Sequence, residues 1–410
     1  MRVLIVNTVE RTGGAAIAAN RLLHALNGNG VEARMLVRDR KTDAPEVVSL
    51  PQSWRLRANF LWERGIIWLN NGLSKQGIFQ VDIANCGTDI TAMEAFRWAD
   101  VIHLHWVNQG FLSLNNLDRI LASGKPVVMT LHDQWYFTGI CHYSGGCDKF
   151  QTQCQHCPML KGPGMDLARR VFDRKCAMYK DRNITFVGCS RWMADLAHQS
   201  SLTQGHTVTN IPNAIDTEIF KPMDKASARQ RHHLPMDKRL LLFGAQRITD
   251  ERKGFRYLAE ACKHLAEATE DLGIVVLGGD AQSVKEALPL PVYTIDYLSN
   301  EDEIAQLYNA VDLFVTPSLQ DNLPNTIVEA MACGTPCVGF NIGGIPEMIS
   351  HQQNGYVARY CDSEDLANGI IWCLDDTRHD LLSQAARATA LDTYAEPAVA
   401  RRYLQIYQGK

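Results

Sequence analysis

The segment with the clearest chemical potential runs from Thr316 to Pro336 and contains two carboxylates, Asp321 and Glu329, eight positions apart. Its pattern predicts a strand end, a loop, and a helix that begins near Asn325. A helix N-terminus carries unpaired N–H groups and partial positive charge, which suit a phosphate. Carboxylates around that phosphate could bind sugar and ribose hydroxyls. On residue type alone, an equally good interpretation is that Asp321 is an ordinary loop acid and Glu329 a solvated helix residue, neither of which binds a ligand.

A second candidate site lies in residues 246–254, QRITDERKG, after the first strand of a second series of strands. Arg247 and Lys253 are six positions apart in this loop. Fixed positive charge between a strand and a helix is what recognition of a diphosphate requires. The alternative interpretation is a solvated basic loop.

Two further candidates follow strands of the first half. Gly13 and Gly14 stand before a predicted helix, where glycine permits unusual backbone angles and close approach to a ligand, although the pattern is not GxGxxG. His132 ends another strand, at the edge where open α/β sheets bind ligands. For His103 and His105, which also approach a strand end, packed side chains are the preferred interpretation.

The segment around Asp321 and Glu329 closely resembles the donor-binding signature of glycosyltransferase family 4, a group with the GT-B fold. Residues 343–347, GGIPE, resemble the same family, and Arg247 and Lys253 resemble its Arg…Lys-Gly element. The commonest family pattern has Glu at the first acid. This chain has Asp there, which is one methylene shorter.

The resemblance implies a role for each matched residue of the second half. Glu329 would bind the ribose hydroxyls of a nucleotide, and Asp321 would face the transferred sugar. Arg247 and Lys253 would neutralise the leaving diphosphate as its charge develops. Asn325, at the start of the predicted helix, joins the nucleotide-binding set.

For the first half, the resemblance places His132 near the donor sugar and Gly13 and Gly14 near the diphosphate. It also implies a retaining reaction by front-face attack that requires no metal ion or cofactor for catalysis. Two alternatives remain: a nucleotide-sugar epimerase of the same fold, or a non-catalytic sugar-nucleotide binder if Asp321 cannot replace Glu. A nicotinamide dehydrogenase is disfavoured because no GxGxxG follows a strand.

The elements that position these residues alternate between short β-branched runs and helical patterns. This alternation predicts an α/β protein with two doubly wound domains and a ligand crevice between them. The resemblance implies the GT-B fold, with two facing Rossmann-like domains and the donor site in the crevice. Residues 1–208 form the predicted acceptor-side domain, with a cysteine-rich insertion at 138–170. Residues 209–385 form the nucleotide-sugar-binding domain, and 386–410 a helix that packs back toward the first.

The composition limits the partners and the cellular location that the chain is expected to have. The 410 residues are 46% hydrophobic and 21% charged, with a formal net charge of −4, so nucleic acid is a poor candidate partner. The chain opens directly into a predicted strand, and no apolar run of about 18 residues suggests a membrane span. We therefore expect a cytoplasmic protein, with the inner face of the membrane as an additional location.

Four cysteines lie close together in the insertion, at positions 141, 147, 154 and 157. Cys141, Cys147, Cys154 and Cys157 could hold a zinc ion in a closed, structural site. Packed free thiols and disulfides are the two alternatives, since the spacing is not that of a regular pair of zinc knuckles.

Residues 54–69, WRLRANFLWERGIIWL, predict a helix with one aromatic stripe. The stripe and its flanking arginines are Trp54, Ala58, Leu61, Gly65, Trp68, Arg55, Arg57 and Arg64. Such a helix suits a membrane interface, and a core helix is the alternative. The resemblance to polysaccharide-assembly transferases implies a saccharide or lipid-linked acceptor, in bacterial exopolysaccharide or O-antigen synthesis.

Overall fold

The computed structural model describes residues 1–162 and 166–409. It divides into two compact units, the first formed by Met1–Pro212 with Val399–Lys410 and the second by Asn213–Ala398. The division thus falls four residues beyond the predicted boundary at 208, and residues 386–398 group with the second unit. Of the predicted insertion, 163–165 lie outside the described residues.

Within the described residues, the first unit contains a seven-stranded parallel sheet in the order β3-β2-β1-β4-β5-β6-β7. Its central strands are apolar and β-branched, and residues 3–6 have no exposed surface, as expected for a sheet covered on both faces. The strands are β1 Arg2–Val9, β2 Glu32–Asp39, β3 Val47–Ser49, β4 Val101–Leu104, β5 Val127–Leu131, β6 Ile184–Gly188 and β7 Thr207–Asn210.

Helices connect these strands. They are α1 Gly14–Gly28, α2 Trp54–Asn70, α3 Glu94–Trp98, α4 Leu114–Leu121, α5 Leu167–Tyr179 and α6 Arg191–Gln199. No helix among the described residues has the length and apolar character needed to span a bilayer.

The second unit repeats the plan, with a six-stranded parallel sheet among its described residues in the order β10-β9-β8-β11-β12-β13. Its strands are β8 Arg239–Gly244, β9 Leu272–Leu277, β10 Val292–Ile295, β11 Leu313–Thr316, β12 Cys337–Phe340 and β13 Gly355–Ala358. Its helices are α7 Lys225–Arg231, α8 Phe255–Ala268, α9 Glu301–Ala310, α10 Asn325–Ala332, α11 Ile345–Met348, α12 Ser363–Cys373 and α13 Asp376–Thr389. The last helix, α14 Glu396–Tyr407, crosses the division between the units.

Strand order determines which candidate residues are neighbours. In the first unit β1, β4 and β5 are consecutive, so the loops that follow them share one sheet edge. In the second unit β8 lies between β9 and β11, so their following loops also share an edge. These carboxyl edges are where open α/β sheets bind ligands. The predicted doubly wound architecture is confirmed for each unit.

Candidate donor site

The second unit brings Lys253 and Asp321 into direct contact. The Lys253 Nζ donates to Asp321 Oδ2 at 2.8 Å, with the side chains 33% and 15% exposed. An ammonium has three N–H groups, so this bond leaves donors for a phosphate oxygen. The carboxylate likewise has lone pairs for a sugar hydroxyl. The pair therefore combines an anion-binding group and a hydroxyl-binding group in one place.

A close backbone contact ties the two loops that carry this pair. Gly254 has φ +70°, and a Cβ at this position would lie 1.8 Å from the carbonyl oxygen of Pro317. The Leu319 N–H donates to the Arg252 carbonyl at 2.7 Å. Only glycine allows this approach, so the Lys-Gly dipeptide seen in the sequence has a structural reason: glycine lets the loop after β8 touch the loop after β11.

Gly343 fixes the backbone of Asp321 from the other side. Its φ is +58°, and a Cβ there would lie 1.8 Å from the Asp321 carbonyl oxygen. The Gly344 N–H approaches the same oxygen at 3.4 Å. The GGIPE segment thus packs against the backbone of the loop acid.

Arg247 lies exposed in a loop that is held by a residue the sequence did not single out. Asp280, after β9, accepts hydrogen bonds from the Ile248 N–H and the Thr249 hydroxyl, both at 2.7 Å. The Thr249 hydrogen bond leads the interactions that lower the pKa of Asp280. The sequence shows only that Asp280 follows a strand. Without the strand order, this is weak evidence that Asp280 holds the loop of Arg247.

Helix α10 positions Asn325 and Glu329. Glu329 is buried and its Oε2 accepts a hydrogen bond from the Tyr308 hydroxyl at 3.0 Å. Burial, and then the charge of Glu329, raise the pKa of Tyr308 well above its ordinary value, so Tyr308 is a permanent donor. The Asn213 side chain donates to Asn325 Oδ1 at 2.9 Å. Both predicted nucleotide-binding residues are therefore held in place by side chains from elsewhere in the unit.

His132 lies in the first unit, with its ring nitrogens next to His105 and Cys189. Its Nε2 lies 2.8 Å from His105 Nδ1, and its Nδ1 lies 3.5 Å from Cys189 Sγ. Burial lowers the pKa of His132 to about 4, an effect that Asp133 opposes. His132 is therefore neutral at physiological pH and acts as a hydrogen-bonding group. A sugar hydroxyl that binds either ring nitrogen must share it with a protein partner or displace that partner.

His103 and His105 are packed side chains, as predicted, with 0% and 2% exposure. His103 Nδ1 lies 2.7 Å from the Tyr407 hydroxyl, and its Nε2 lies 2.7 Å from Thr130 Oγ1. Burial lowers the pKa of His103 to about 3. His105 contacts His132 directly, and His103 packs against His105.

The residue after His132 belongs to a buried charge network that the sequence did not reveal. His142 Nδ1 lies 2.7 Å from Asp133 Oδ2, and its Nε2 lies 2.6 Å from Asp82 Oδ2. Burial opposes the charge on His142, but the two carboxylates outweigh it and raise its pKa to about 10. Asp82 also pairs with Arg64 of helix α2. The network thus connects Asp133, the residue after His132, to helix α2.

Gly13 and Gly14 open helix α1 on the exposed surface, after β1. Gly13 has φ +90°, and a Cβ there would meet nothing within 4 Å. The backbone angle alone therefore calls for glycine here. Gly13, Gly14 and His132 lie in the first unit, and the other predicted donor-site residues lie in the second.

Helix α2 is half buried, so neither simple interpretation of residues 54–69 describes it fully. Arg64 is buried by its bonds to Asp82 and the Val81 carbonyl, and the prediction that it flanks an exposed stripe is wrong. Trp54 is 77% exposed. Leu61, Trp62 and Leu69 of α2 are also exposed, as are Leu73 and Phe79 in the residues that follow the helix. We call these six residues the α2 surface.

All twelve cysteines of the chain lie in the described residues and are free thiols, so the disulfide alternative is not what the structure shows. Cys141, Cys147, Cys154 and Cys157 line one small cavity. In their present side-chain positions, no three His, Cys, Asp or Glu residues of the described chain are arranged to hold a metal ion.

Part of the second unit matches a known protein family. Residues 237–376 match a family model described as glycosyl transferases group 1. A D-inositol 3-phosphate glycosyltransferase of Thermobispora bispora is 26% identical over 322 residues, or 75% of this chain and 70% of that protein. These similarities are to glycosyltransferases, and the family model covers about a third of the chain.

Other relatives match over shorter stretches. An N-acetyl-alpha-D-glucosaminyl L-malate synthase of Bacillus anthracis is 26% identical over 206 residues. That match covers 49% of this chain and 53% of the synthase, so the chain aligns with about half of that relative's length. Sugar transfer is the activity these names have in common; their substrates differ.

Solved structures share the fold of the whole chain. A sucrose-phosphate synthase of Thermosynechococcus elongatus superimposes with a TM-score of 0.70 at 18% identity, covering 100% of this chain and 98% of the other. The Anabaena protein HepE, described in complex with UDP and glucose, gives a TM-score of 0.64 at 17% identity and full coverage of both chains. At such identities the likeness establishes the fold, which is GT-B.

Proposed function

We propose that this chain is a retaining glycosyltransferase of family 4 that moves a sugar from a nucleotide-sugar donor to a glycan or lipid-linked acceptor. The observation that carries the proposal is the Lys253–Asp321 pair, held at 2.8 Å by loops that only glycine lets approach each other. A cation and a carboxylate locked together in this way suit the junction between a diphosphate and a sugar.

In the proposed site, Arg247 and Lys253 neutralise the diphosphate, together with the N–H groups that open α10. These fixed positive charges supply the stabilisation that a divalent ion gives elsewhere, so we propose a metal-independent reaction. Asp321 accepts a hydroxyl of the transferred sugar. Glu329, oriented by Tyr308, accepts the ribose hydroxyls, with Asn325 beside it at the start of the helix.

The first-unit residues have supporting roles in the same proposal. His132 is neutral and is proposed to hydrogen-bond the donor sugar. Gly13 leaves open space at the start of α1, and the proposed ligand of Gly13 and Gly14 is the diphosphate. In this proposal the acceptor hydroxyl attacks the face of the sugar ring that the leaving diphosphate occupies. The anomeric configuration is therefore retained, through a transition state with a partly positive sugar ring.

A donor screen tests the proposal. Binding to the native state raises the unfolding midpoint, and a ligand at 100 times its Kd contributes about 2.7 kcal/mol. We expect one class among UDP-, GDP- and ADP-sugars to raise the midpoint, in EDTA as well as in magnesium. With the donor found, the anomeric configuration of the product is read by NMR. An inverted product, or binding only with a divalent ion, contradicts the proposal.

We further propose that the α2 surface docks on a membrane that carries the acceptor, at the cytoplasmic face. Trp54 and Trp62 are 77% and 62% exposed on a helix whose opposite face is packed. Arg55 and Arg57 are exposed on the same helix and complement anionic headgroups. Aromatic side chains beside arginine are typical of interfacial helices. A role in bacterial exopolysaccharide or O-antigen assembly is the matching setting.

Sedimentation with lipid vesicles tests this docking. We expect the wild type to sediment with phosphatidylglycerol vesicles, and a Trp54→Ser/Trp62→Ser variant to lose binding several-fold. Leu381→Ser, which changes a side chain of the second unit that is 66% exposed, is the matched control and should bind like the wild type. Equal binding by the double variant, or no binding by the wild type, refutes the docking.

A further inference from the structure

The cysteine-lined cavity of the first unit is a candidate site that the transfer reaction does not use. Four cysteines, Cys141, Cys147, Cys154 and Cys157, line this one cavity. The rest of its lining is Ile140, Ser144, Lys149, Gln155, Pro158, Met159 and Ala168. Among the described residues this lining has no carboxylate or imidazole, so a metal held here would have sulfur ligands.

The two nearby histidines are already engaged elsewhere. His142 lies between Asp133 and Asp82, with both ring nitrogens in short contacts. The His156 side chain is 83% exposed and lies 3.7 Å from Asp166. This leaves a set of four thiols, which matches the ligand number of a structural zinc site.

The local backbone is arranged around the sulfurs. The Gly139 N–H donates to Cys154 Sγ at 3.2 Å. Turns bring the Cys147 N–H to the Ser144 carbonyl and the Leu160 N–H to the Cys157 carbonyl, both at 3.1 Å. N–H groups directed at sulfur stabilise a thiolate and orient it toward a metal.

An independent observation is the cation buried beneath this segment. Lys175 has no exposed surface, and its ammonium donates to three backbone carbonyls, those of Trp135, Thr138 and Gly139. The ring of Trp135 lies 3.6 Å from the nitrogen. A buried charge is costly unless an opposite charge compensates for it. The carbonyls and the ring compensate in part, and burial lowers the pKa of Lys175 to about 7.

We propose that Cys141, Cys147, Cys154 and Cys157 bind one zinc ion as a structural site. The four thiols release four protons, and Zn²⁺ with four thiolates carries a net charge of −2. Negative charge on Cys154 and Cys141 favours the protonated form of the buried Lys175. Zinc prefers four thiolates in a tetrahedron at about 2.3 Å. The four cysteines line one cavity, and their side chains must move to form the tetrahedron, because no three such residues are arranged to hold a metal among the described residues.

The consequence is a cross-link in a segment with little regular structure. Between Thr138 and Gly162, one short 3-10 turn, Lys149–Gln151, is the regular element among the described residues. Cys141 adjoins His142, whose contact with Asp133 reaches the residue next to His132. A zinc ion would therefore fix the segment that supports His132.

Metal analysis of the untagged full chain tests the proposal. We expect about one zinc per chain in the wild type and in Cys176→Ala, an exposed cysteine outside the cavity. We expect much less than one in Cys147→Ala and in Cys157→Ala, the two partly exposed ligands, whose folding is checked by circular dichroism. Replacing zinc with cobalt should give the absorption of a tetrahedral sulfur site.

Three results would overturn the zinc site. The first is a wild-type chain that contains almost no zinc and takes up none from one equivalent of zinc chloride. The second is full zinc content in both cavity variants. The third is a disulfide among the four cysteines, found by mass spectrometry without reduction. If the variants do not fold, zinc release from the wild type by a chromogenic chelator, with four thiols becoming titratable per zinc, decides the question.

Discussion

Replacing Gly343 with alanine should disable the donor site through the backbone of Asp321. The added Cβ would lie 1.8 Å from the Asp321 carbonyl oxygen, whereas real Cβ contacts essentially never fall below 3.0 Å. The two atoms must therefore separate by at least 1.2 Å, which is 3.0 minus 1.8. A misplacement of about 1 Å at a reacting centre costs about 10²-fold in rate. We expect that loss in kcat/KM, together with a stability cost of about 1–2 kcal/mol from the positive φ.

The assay is donor-dependent release of nucleotide, paired with urea unfolding. Gly205→Ala is the control, because Gly205 has φ +82° but a Cβ there would meet nothing within 4 Å. The control should show the stability cost and keep its activity. If Gly343→Ala keeps kcat/KM within about twofold of the control, Gly343 does not position Asp321, and our explanation of the GGIPE segment is refuted.

Three further predictions concern single side chains. Asp321→Ala should lower kcat by about 10²-fold or more and leave the affinity for the nucleoside diphosphate of the identified donor unchanged or higher, because Lys253 is then released for the diphosphate; loss of that binding in calorimetry would contradict this. Tyr308→Phe should cost about 1–3 kcal/mol in the free energy of unfolding, because buried Glu329 loses a donor, and an unchanged urea midpoint would contradict it. His142→Gln should be less stable than the wild type below pH 6.5. Because the folded pKa of His142 is raised from 6.5 to about 10, the deficit should shrink as pH rises through that range, and a deficit that grows with pH would contradict the network.

The sequence predicted the parts of the site that depend on local order along the chain. β-branched runs such as residues 3–6 are buried strands, and Asn325 does begin a helix. Asp321 and Lys253 each follow a strand, so the strand order alone brings their loops together. The 2.8 Å contact between them, however, depends on glycines that pack against distant carbonyls, and sequence spacing does not show such contacts.

What the sequence could not predict arises from packing between distant segments. The network of His142, Asp133 and Asp82 joins residues up to 60 positions apart, with no motif to mark it. In α2 the periodicity found an apolar stripe but not which arginine is buried. Arg64 is buried because Asp82, 18 positions further along the chain, provides its counter-charge. The strand at Val47–Ser49 is too short to produce a periodic pattern.

The central claim is that Lys253 and its partners bind the diphosphate of a nucleotide sugar, and calorimetry tests it most directly. The donor identified by the screen is titrated into the wild type, Lys253→Met and Lys263→Met, the last being a lysine with a 63% exposed side chain on the neighbouring helix α8. We predict that Kd rises at least about tenfold in Lys253→Met, equal to about 1.4 kcal/mol, and is unchanged in Lys263→Met. Equal affinity in all three proteins would contradict the claim.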